Sequence, residues 1–211
     1  FAHNRNQALA LSKDKGDYLL FIDADEQLIF DESFSLSSLD KDFYFFLIRQ
    51  PSGINYFRES LILNRLDLKW VGPVHETIVS SQAKTFALLQ GVTNLSITQD
   101  GHRSEDPRKY LNDAAVLEKA LETDPENSRH IFYLALSYGN AKEYEKALYW
   151  HKKRIDLKGS EQEVFYSLLS IGKIEETLQE KPEKIVESYT KAYLYRPTRA
   201  EPLYYLANYY I

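Results

Sequence analysis

Asp23-Ala24-Asp25-Glu26 follows directly on five apolar residues, Tyr18-Leu19-Leu20-Phe21-Ile22. An apolar run of this length reads as a strand buried on both faces, and open α/β sheets bind ligands beyond the carboxyl ends of such strands. In an extended segment Asp23 and Asp25 would lie on one side, roughly 7 Å apart at Cα. Two carboxylates held in this way can share one divalent ion, directly or through water. Hard oxygen ligands suit Mg²⁺ or Mn²⁺, completed by phosphate oxygens of a substrate. The pattern has two other readings. One is an acidic turn that closes a strand. The other is phosphatase-like chemistry, with an Asp nucleophile, an Asp two positions on and a Thr at the fifth position. Here the fifth position is Gln27, which argues against it.

The elements that would position these carboxylates are legible on either side. A helix over Asn4–Ala10, stopped by Gly16-Asp17, precedes the strand. Further β-type runs follow, Phe43-Tyr44-Phe45-Phe46-Leu47-Ile48 and an alternating stretch from Val92 to Ile97, with a turn at Pro51-Ser52-Gly53. After Pro107 the apolar residues recur at helical spacing, as in Tyr110, Ala114, Leu117 and Leu121. Aromatic usage changes at the same place: 13 of the 16 Tyr lie after residue 105, and 9 of the 11 Phe before it. The chain therefore reads as α/β followed by all-α, with an α/β domain over residues 1–105 and a helical domain over 106–211.

Composition excludes several classes. The 211 residues carry 26 Lys+Arg against 31 Asp+Glu, with no basic run of the kind that marks a nucleic-acid tail. Cys is absent, which removes disulfide scaffolds, thiol catalysis and Cys-ligated zinc. No apolar run approaches the ~18 residues of a membrane-spanning helix. Met is absent too, so a chain opening Phe1-Ala2-His3-Asn4 reads as a piece of a longer polypeptide.

The helical half repeats itself. Phe132-Tyr133-Leu134-Ala135-Leu136-Ser137-Tyr138-Gly139 matches Phe165-Tyr166-Ser167-Leu168-Leu169-Ser170-Ile171-Gly172, and a third copy begins at Leu203-Tyr204-Tyr205-Leu206-Ala207. The middle repeat carries extra residues around Gln179 to Pro182. Small residues at Ala135, Gly139 and Ala147, with Pro125, Pro197 and Pro202 at turns, resemble tetratricopeptide repeats. The pairs Tyr204-Tyr205 and Tyr209-Tyr210 exceed what a core needs. Neighbours on a helix point about 100° apart, so one of each pair leaves the core face. The groove of stacked repeats is then a place for an acceptor or a protein partner, the alternative being that these tyrosines pack on the first half or on a second copy of the chain.

The whole chain resembles a known family. Asn4-Arg5-Asn6-Gln7-Ala8 through Gly16-Asp17 to Asp23-Ala24-Asp25-Glu26 looks like the middle of an inverting GT-A glycosyltransferase of the family 2 type. Arg58-Glu59-Ser60-Leu61-Ile62, Trp70-Val71-Gly72-Pro73-Val74-His75-Glu76 and Asp100-Gly101-His102-Arg103-Ser104 resemble a subgroup that ends in tetratricopeptide-like helices. The resemblance implies a partial GT-A fold, a nucleotide-sugar donor, a sugar, lipid or protein acceptor, and Mn²⁺ or Mg²⁺ as cofactor. It implies that Asp25 binds the metal, with Asp23 nearer the donor ribose or a metal-bound water. Glu76 would take the acceptor proton, with His75 orienting it or contacting metal and phosphates. Trp70 would be a sugar-stacking wall or core, and Arg5 a diphosphate contact or a helix-surface charge. In many members a His that helps hold the metal precedes the Asp-Gly turn. Here Thr98-Gln99 stand in that stretch and the nearest His is His102, so the third metal ligand is unassigned. The resemblance implies His102 and Arg103 as donor- or substrate-binding residues. The family's nucleotide-binding first half would lie before Phe1. Two alternatives come from other classes: a non-enzymatic interaction module on a GT-A remnant, and a metal-dependent phosphoryl-transfer enzyme using Asp23, Asp25 and His75.

Overall fold

The computed structural model describes residues 2–32, 34–36, 39–50, 55–97 and 106–211. The chain divides into two units, Phe1–Asp106 and Pro107–Ile211. An α/β unit comes first and an all-helical unit second, each with its own core.

In the first unit, helix α1 (Ala2–Ser12) is followed by strands β1 (Tyr18–Leu20), β2 (Glu26–Phe30), β3 (Phe43–Arg49) and β4 (Asn55–Leu63). Strands β5 (Lys69–Val71), β6 (Thr77–Val79) and β7 (Phe86–Ser96) complete it. Five of them form one sheet in the order β1-β4-β3-β7-β2, while β5 and β6 pair as a separate hairpin. All neighbours in the large sheet are antiparallel except β3 and β7, which run parallel. Strand β3 lies at the centre, and this explains its run of large apolar residues. Phe43 packs with Ile62, Trp70 and Ile78, joined by Leu9 of α1 and by Phe21. Tyr44, Phe46 and Ile48 pack with Val92, joined by Leu28, Phe34 and Leu61.

The run Tyr18–Ile22 does not form a strand buried on both faces. It shortens to three paired residues at the edge of the sheet, next to β4 alone, and Leu20 is 47% exposed. An edge strand has one hydrogen-bonding neighbour and less cover, and a run of apolar residues cannot by itself distinguish that position from a central one. Asp23 to Glu26 is likewise not extended: the Glu26 amide donates to the Asp23 carbonyl at 3.1 Å, closing a turn.

The second unit holds α2 (Lys109–Thr123), α3 (Ser128–Asn140), α4 (Tyr144–Ile155), α5 (Glu161–Thr177), α6 (Pro182–Tyr195) and α7 (Glu201–Tyr209). Each helix packs on the next, and α3 also touches α5, one repeat along, as stacked helix pairs require. The three repeated segments fall on α3, α5 and α7. The extra residues of the middle repeat fall mainly in α5, which at 17 residues is longer than the 13-residue α3. They are not in the stretch Gln179 to Pro182 expected from the sequence, where the turn is scarcely longer than the one between α3 and α4. Ser160 and Asn127 cap α5 and α3 with side-chain oxygens that accept from Glu163 N and His130 N.

Polar contacts are placed between the helices as well as apolar ones. The Arg154 side chain is fully buried and donates to Glu163 Oε2 at 2.9 Å and to the carbonyls of Leu157 and Ser160 at 3.2 Å. It thus ties the end of α4 to the start of α5. His151 Nδ1 and Ser167 Oγ meet at 3.1 Å across the same interface, and burial pushes the imidazole down to about 3, so the ring is neutral there. Of the two tyrosine pairs on α7 and its C-terminal cap, Tyr205 and Tyr209 pack into the core formed with Phe165, Leu169, Ile185 and Tyr189, while Tyr204 and the cap residue Tyr210 are exposed.

Gly172 on α5 marks the closest helix approach. A Cβ there would meet ring carbons of Tyr189 at 2.8 Å. That ring is fixed on three sides, since Tyr189 is fully buried, stacks on Tyr205 and donates to Glu176 at 2.6 Å. In Gly172→Ala the cost of overpacking exceeds the gain in helix propensity. The variant should be less stable by about 1 kcal/mol, read as a melting temperature roughly 2–4 °C lower. A melting temperature at or above the native value would refute this packing.

Candidate functional site

The residues at the carboxyl end of β1 form a connected network of charges. Asp23 lies just past the strand, in the turn that leads into β2. One of its oxygens accepts from Arg5 Nη2 of α1 at 3.2 Å, and the other from Arg58 Nη1 of β4 at 3.1 Å. Arg58 Nη2 reaches Glu26 Oε2, at the start of β2, at 2.6 Å. The same Glu26 oxygen accepts from the Asp23 amide and from Asn94 Nδ2 of β7, both at 2.9 Å.

Local folding explains this convergence. Helix α1 is fixed to the β5–β6 hairpin by Asn6, whose side chain donates to the Trp70 carbonyl at 2.9 Å and accepts from the Trp70 amide at 2.8 Å. With Asn6 so held, the preceding Arg5 lies over the Trp70 ring, 4.5 Å from its centroid. Phe21 packs edge-on against the same ring at 5.3 Å. Trp70 is therefore a core residue with one face under a guanidinium, and its indole Nε1 is buried with no hydrogen-bond partner.

The structure thus brings Arg5, Asp23 and Trp70 together. Asp25 is exposed on the turn, two residues from Asp23. His75 and Glu76 close the loop of the β5–β6 hairpin. Gly72 makes that loop possible with φ at +105°, Val74 anchors it in the core, and His75 itself adopts a left-handed backbone at φ 51°. His75 is exposed and Glu76 half-buried. His102 and Arg103 lie outside the described residues, as do Thr98 and Gln99.

Arg58, Glu26, Asn94 and Asn6 join the site although no role was assigned to them from the sequence. The available signals were the third acid of that segment, Glu26, directly after Asp25, and the Asn that follows Arg5. Glu26 is the most buried charge of the group, its side chain 5% exposed. Burial alone would raise its carboxyl, but the hydrogen bonds from Arg58, the Asp23 amide and Asn94 outweigh it and hold the group below its ordinary value of 4.5.

The donor set bears on a divalent ion in two ways. As held here, Asp23 does not suit one: each of its oxygens already faces a guanidinium. The exposed Asp25 carboxylate does suit an ion whose remaining ligands are phosphate oxygens. Among the described residues no three His, Asp or Glu side chains converge in a metal-binding arrangement.

A tetratricopeptide repeat family model matches residues 116–149, a span from within α2 through α3 into α4. No curated protein matches the chain. Repeats of this kind stack into extended surfaces and point to protein interaction. Among the described residues no helix is long and apolar enough to cross a membrane.

The Arg58–Glu26 pair yields a stability prediction. Removing one partner of a largely buried pair strands the other charge. Arg58→Met should cost about 2 kcal/mol, measured by denaturant unfolding near neutral pH, and Arg58→Met/Glu26→Leu should recover part of it. Glu26 is depressed in the folded state, so its contribution is complete above 4.5 and disappears as pH falls through the depressed value. The gap between the native protein and Glu26→Gln should accordingly shrink from pH 6 toward roughly pH 3. A gap that is constant with pH would remove Glu26 from the network.

Proposed function

We propose that the α/β unit is the acceptor-side part of an inverting glycosyltransferase, which moves a sugar from a nucleotide-sugar donor to an acceptor hydroxyl. The observation that supports this reading is the convergence of Arg5 and Arg58 on one carboxylate at the carboxyl end of β1, beside Trp70. Guanidiniums set at a strand end offer planar, charge-assisted donors to phosphate oxygens. In the reaction the acceptor oxygen bonds to the anomeric carbon while the bond from that carbon to the diphosphate breaks. The electron pair leaves with the phosphate oxygen, where positive groups stabilise it. The acceptor proton passes to a base, and Glu76 is the proposed one, held half-buried in a loop that Gly72 and His75 shape. A Mn²⁺ or Mg²⁺ ion, if Asp25 holds it, would add charge stabilisation at the departing diphosphate.

A second reading is favoured by the repeat match over residues 116–149. In it the helical unit selects a protein, either the acceptor itself or a partner, through exposed aromatic residues such as Tyr204 and Tyr210. The two readings are compatible, since one unit can present what the other modifies.

Two measurements on the protein that carries this chain test them. Glu76→Gln keeps size and hydrogen bonding but removes basicity, so turnover of a nucleotide sugar should fall by ~10²–10⁴ with little change in donor affinity. Turnover preserved at saturation with donor binding lost would make Glu76 a binding group instead. Tyr204→Ala/Tyr210→Ala should raise KM for a protein acceptor about fivefold or more and leave the donor KM unchanged. An unchanged acceptor KM would assign the repeats to structure alone.

A further inference from the structure

The two outer strands of the five-stranded sheet differ in what they leave open. Strand β1 pairs over three residues only, whereas β2 pairs over five, Glu26 to Phe30, with β7 as its one neighbour among the described residues. The Asp31 amide donates to the Gly91 carbonyl and the Ile97 amide to the Asp25 carbonyl, both at 2.9 Å. Hydrogen-bonded pairs alternate along an antiparallel ladder, so Asp25, Gln27, Ile29 and Asp31 turn their backbone groups to β7. Glu26, Leu28 and Phe30 therefore turn theirs outward. The Glu26 amide is spent on the Asp23 carbonyl at 3.1 Å. What remains open among the described residues is the carbonyl of Glu26 and both backbone groups of Leu28 and Phe30.

Proteins blunt an edge of this kind with Lys, Pro, a bulge or a covering segment. Strand β2 has none of the first three. It reads Glu-Gln-Leu-Ile-Phe in unbroken register with β7, and its one charge, Glu26, is answered inside the sheet by Arg58 and Asn94. Its far end is apolar on both faces. Ile29 is 43% exposed and ends a row that crosses the sheet through Thr93 and Leu47 to Phe57. Phe30, on the opposite face, is 53% exposed and leans on Phe34, with 4.8 Å between ring centroids. An added strand would extend both rows, since directly opposed side chains on neighbouring strands touch.

The charges around this edge have one sign. Asp25 precedes the strand, and Asp31 and Glu32 follow it; all three are exposed, and none is in an ion pair among the described residues. Two copies of the chain paired antiparallel about Leu28 would set Asp25 against Asp31 at both ends, like charge on like. A strand with basic ends meets the opposite situation. We propose that the open edge of β2 is a docking site for an extended polypeptide segment, which joins the sheet as a sixth strand and carries apolar residues between basic ends. Leu28 and Phe30 supply the main-chain bonds, and Ile29 and Phe30 the apolar contacts. Asp25, Asp31 and Glu32 choose the partner by charge. The inference depends on neither sugar transfer nor a metal, and the surface it assigns lies in the α/β unit rather than in the repeats.

The probe is a fluorescein-labelled peptide, Lys-Lys-Val-Val-Thr-Thr-Thr-Lys, titrated with the full chain in about 0.15 M salt and followed by anisotropy. Laid antiparallel on β2, it sets its Lys residues against Glu32, Asp31 and Asp25 and its Val pair against Phe30 and Ile29. Two N-methylated forms test whether the backbone carries the binding. Methylation of one alternate set of amides removes the donors that face β2, and methylation of the other set removes only outward ones. The first form should bind about tenfold weaker or worse, the second within about twofold of the parent. Glu in place of every Lys should weaken binding about tenfold or more, and Asp31→Asn/Glu32→Gln should weaken the Lys peptide about fivefold. Asp17→Asn removes a charge beside β1, four strand spacings or about 19 Å away, and should change affinity less than about twofold. Circular dichroism melts confirm that the variants are folded.

The proposal is overturned if the peptide does not bind, if both methylated forms bind alike, or if the Glu peptide binds as well as the Lys peptide. An effect of Asp17→Asn equal to that of the Asp31 and Glu32 pair would also overturn it, because the attraction would then belong to the whole chain and not to this edge. So would a native dimer in sedimentation that Ile29→Lys splits and the peptide does not, since a second copy would then hold the edge.

Discussion

The buried Glu26 carboxylate is the constraint around which the α/β unit is arranged. A charge 95% removed from solvent must be answered in place, and three strands supply the answer: Arg58 from β4, Asn94 from β7 and the amide of Asp23 at the entrance to β2. These contacts fix the position of Arg58, and Arg58 in turn fixes one side of Asp23. The other side is fixed by Arg5, whose helix hangs from the backbone of Trp70 through Asn6. Both the sheet and the β5–β6 hairpin thus contribute to a cluster that no single element could form.

Much of the layout was legible in the sequence, for physical reasons that differ by element. The helix ahead of Tyr18, the central strand Phe43–Ile48 and the change to helical periodicity after Pro107 all follow from strong local patterns. The repeat was legible because the same small and aromatic residues return in register on α3, α5 and α7. The edge position of β1 was not legible, since its apolar residues match those of a central strand and only pairing with β4 tells them apart. Nor was the turn at Asp23, which depends on a carbonyl closing onto Glu26 rather than on residue type.

The site divides along the same line. Arg5, Asp23 and Trp70 were singled out, and they do meet. Their meeting is long-range, 18 residues from Arg5 to Asp23 and 64 from Asn6 to Trp70, so nothing in spacing announces it. Arg58, 35 residues from Asp23, lies in a strand whose alternation gives no hint of which charge matters. Trp70 illustrates a further limit. A tryptophan in a motif can be a ligand wall or a core residue, and burial with a guanidinium on its face decides for core.

The polar contacts between helices of the second unit have a consequence for how it comes apart. An array of stacked helix pairs behaves as a chain of nearest-neighbour links, and weak links let end repeats open independently. Here the link between α4 and α5 is anything but weak, because Arg154 is sealed in it and cannot reach water without giving up its bonds to Glu163 Oε2 and two carbonyls. Partial opening at that joint exposes an expensive set of unmet groups before it gains any chain entropy. The two repeats that flank Arg154 are thereby joined into one cooperative block, and fraying is left to α7, where only Pro202 is fully buried.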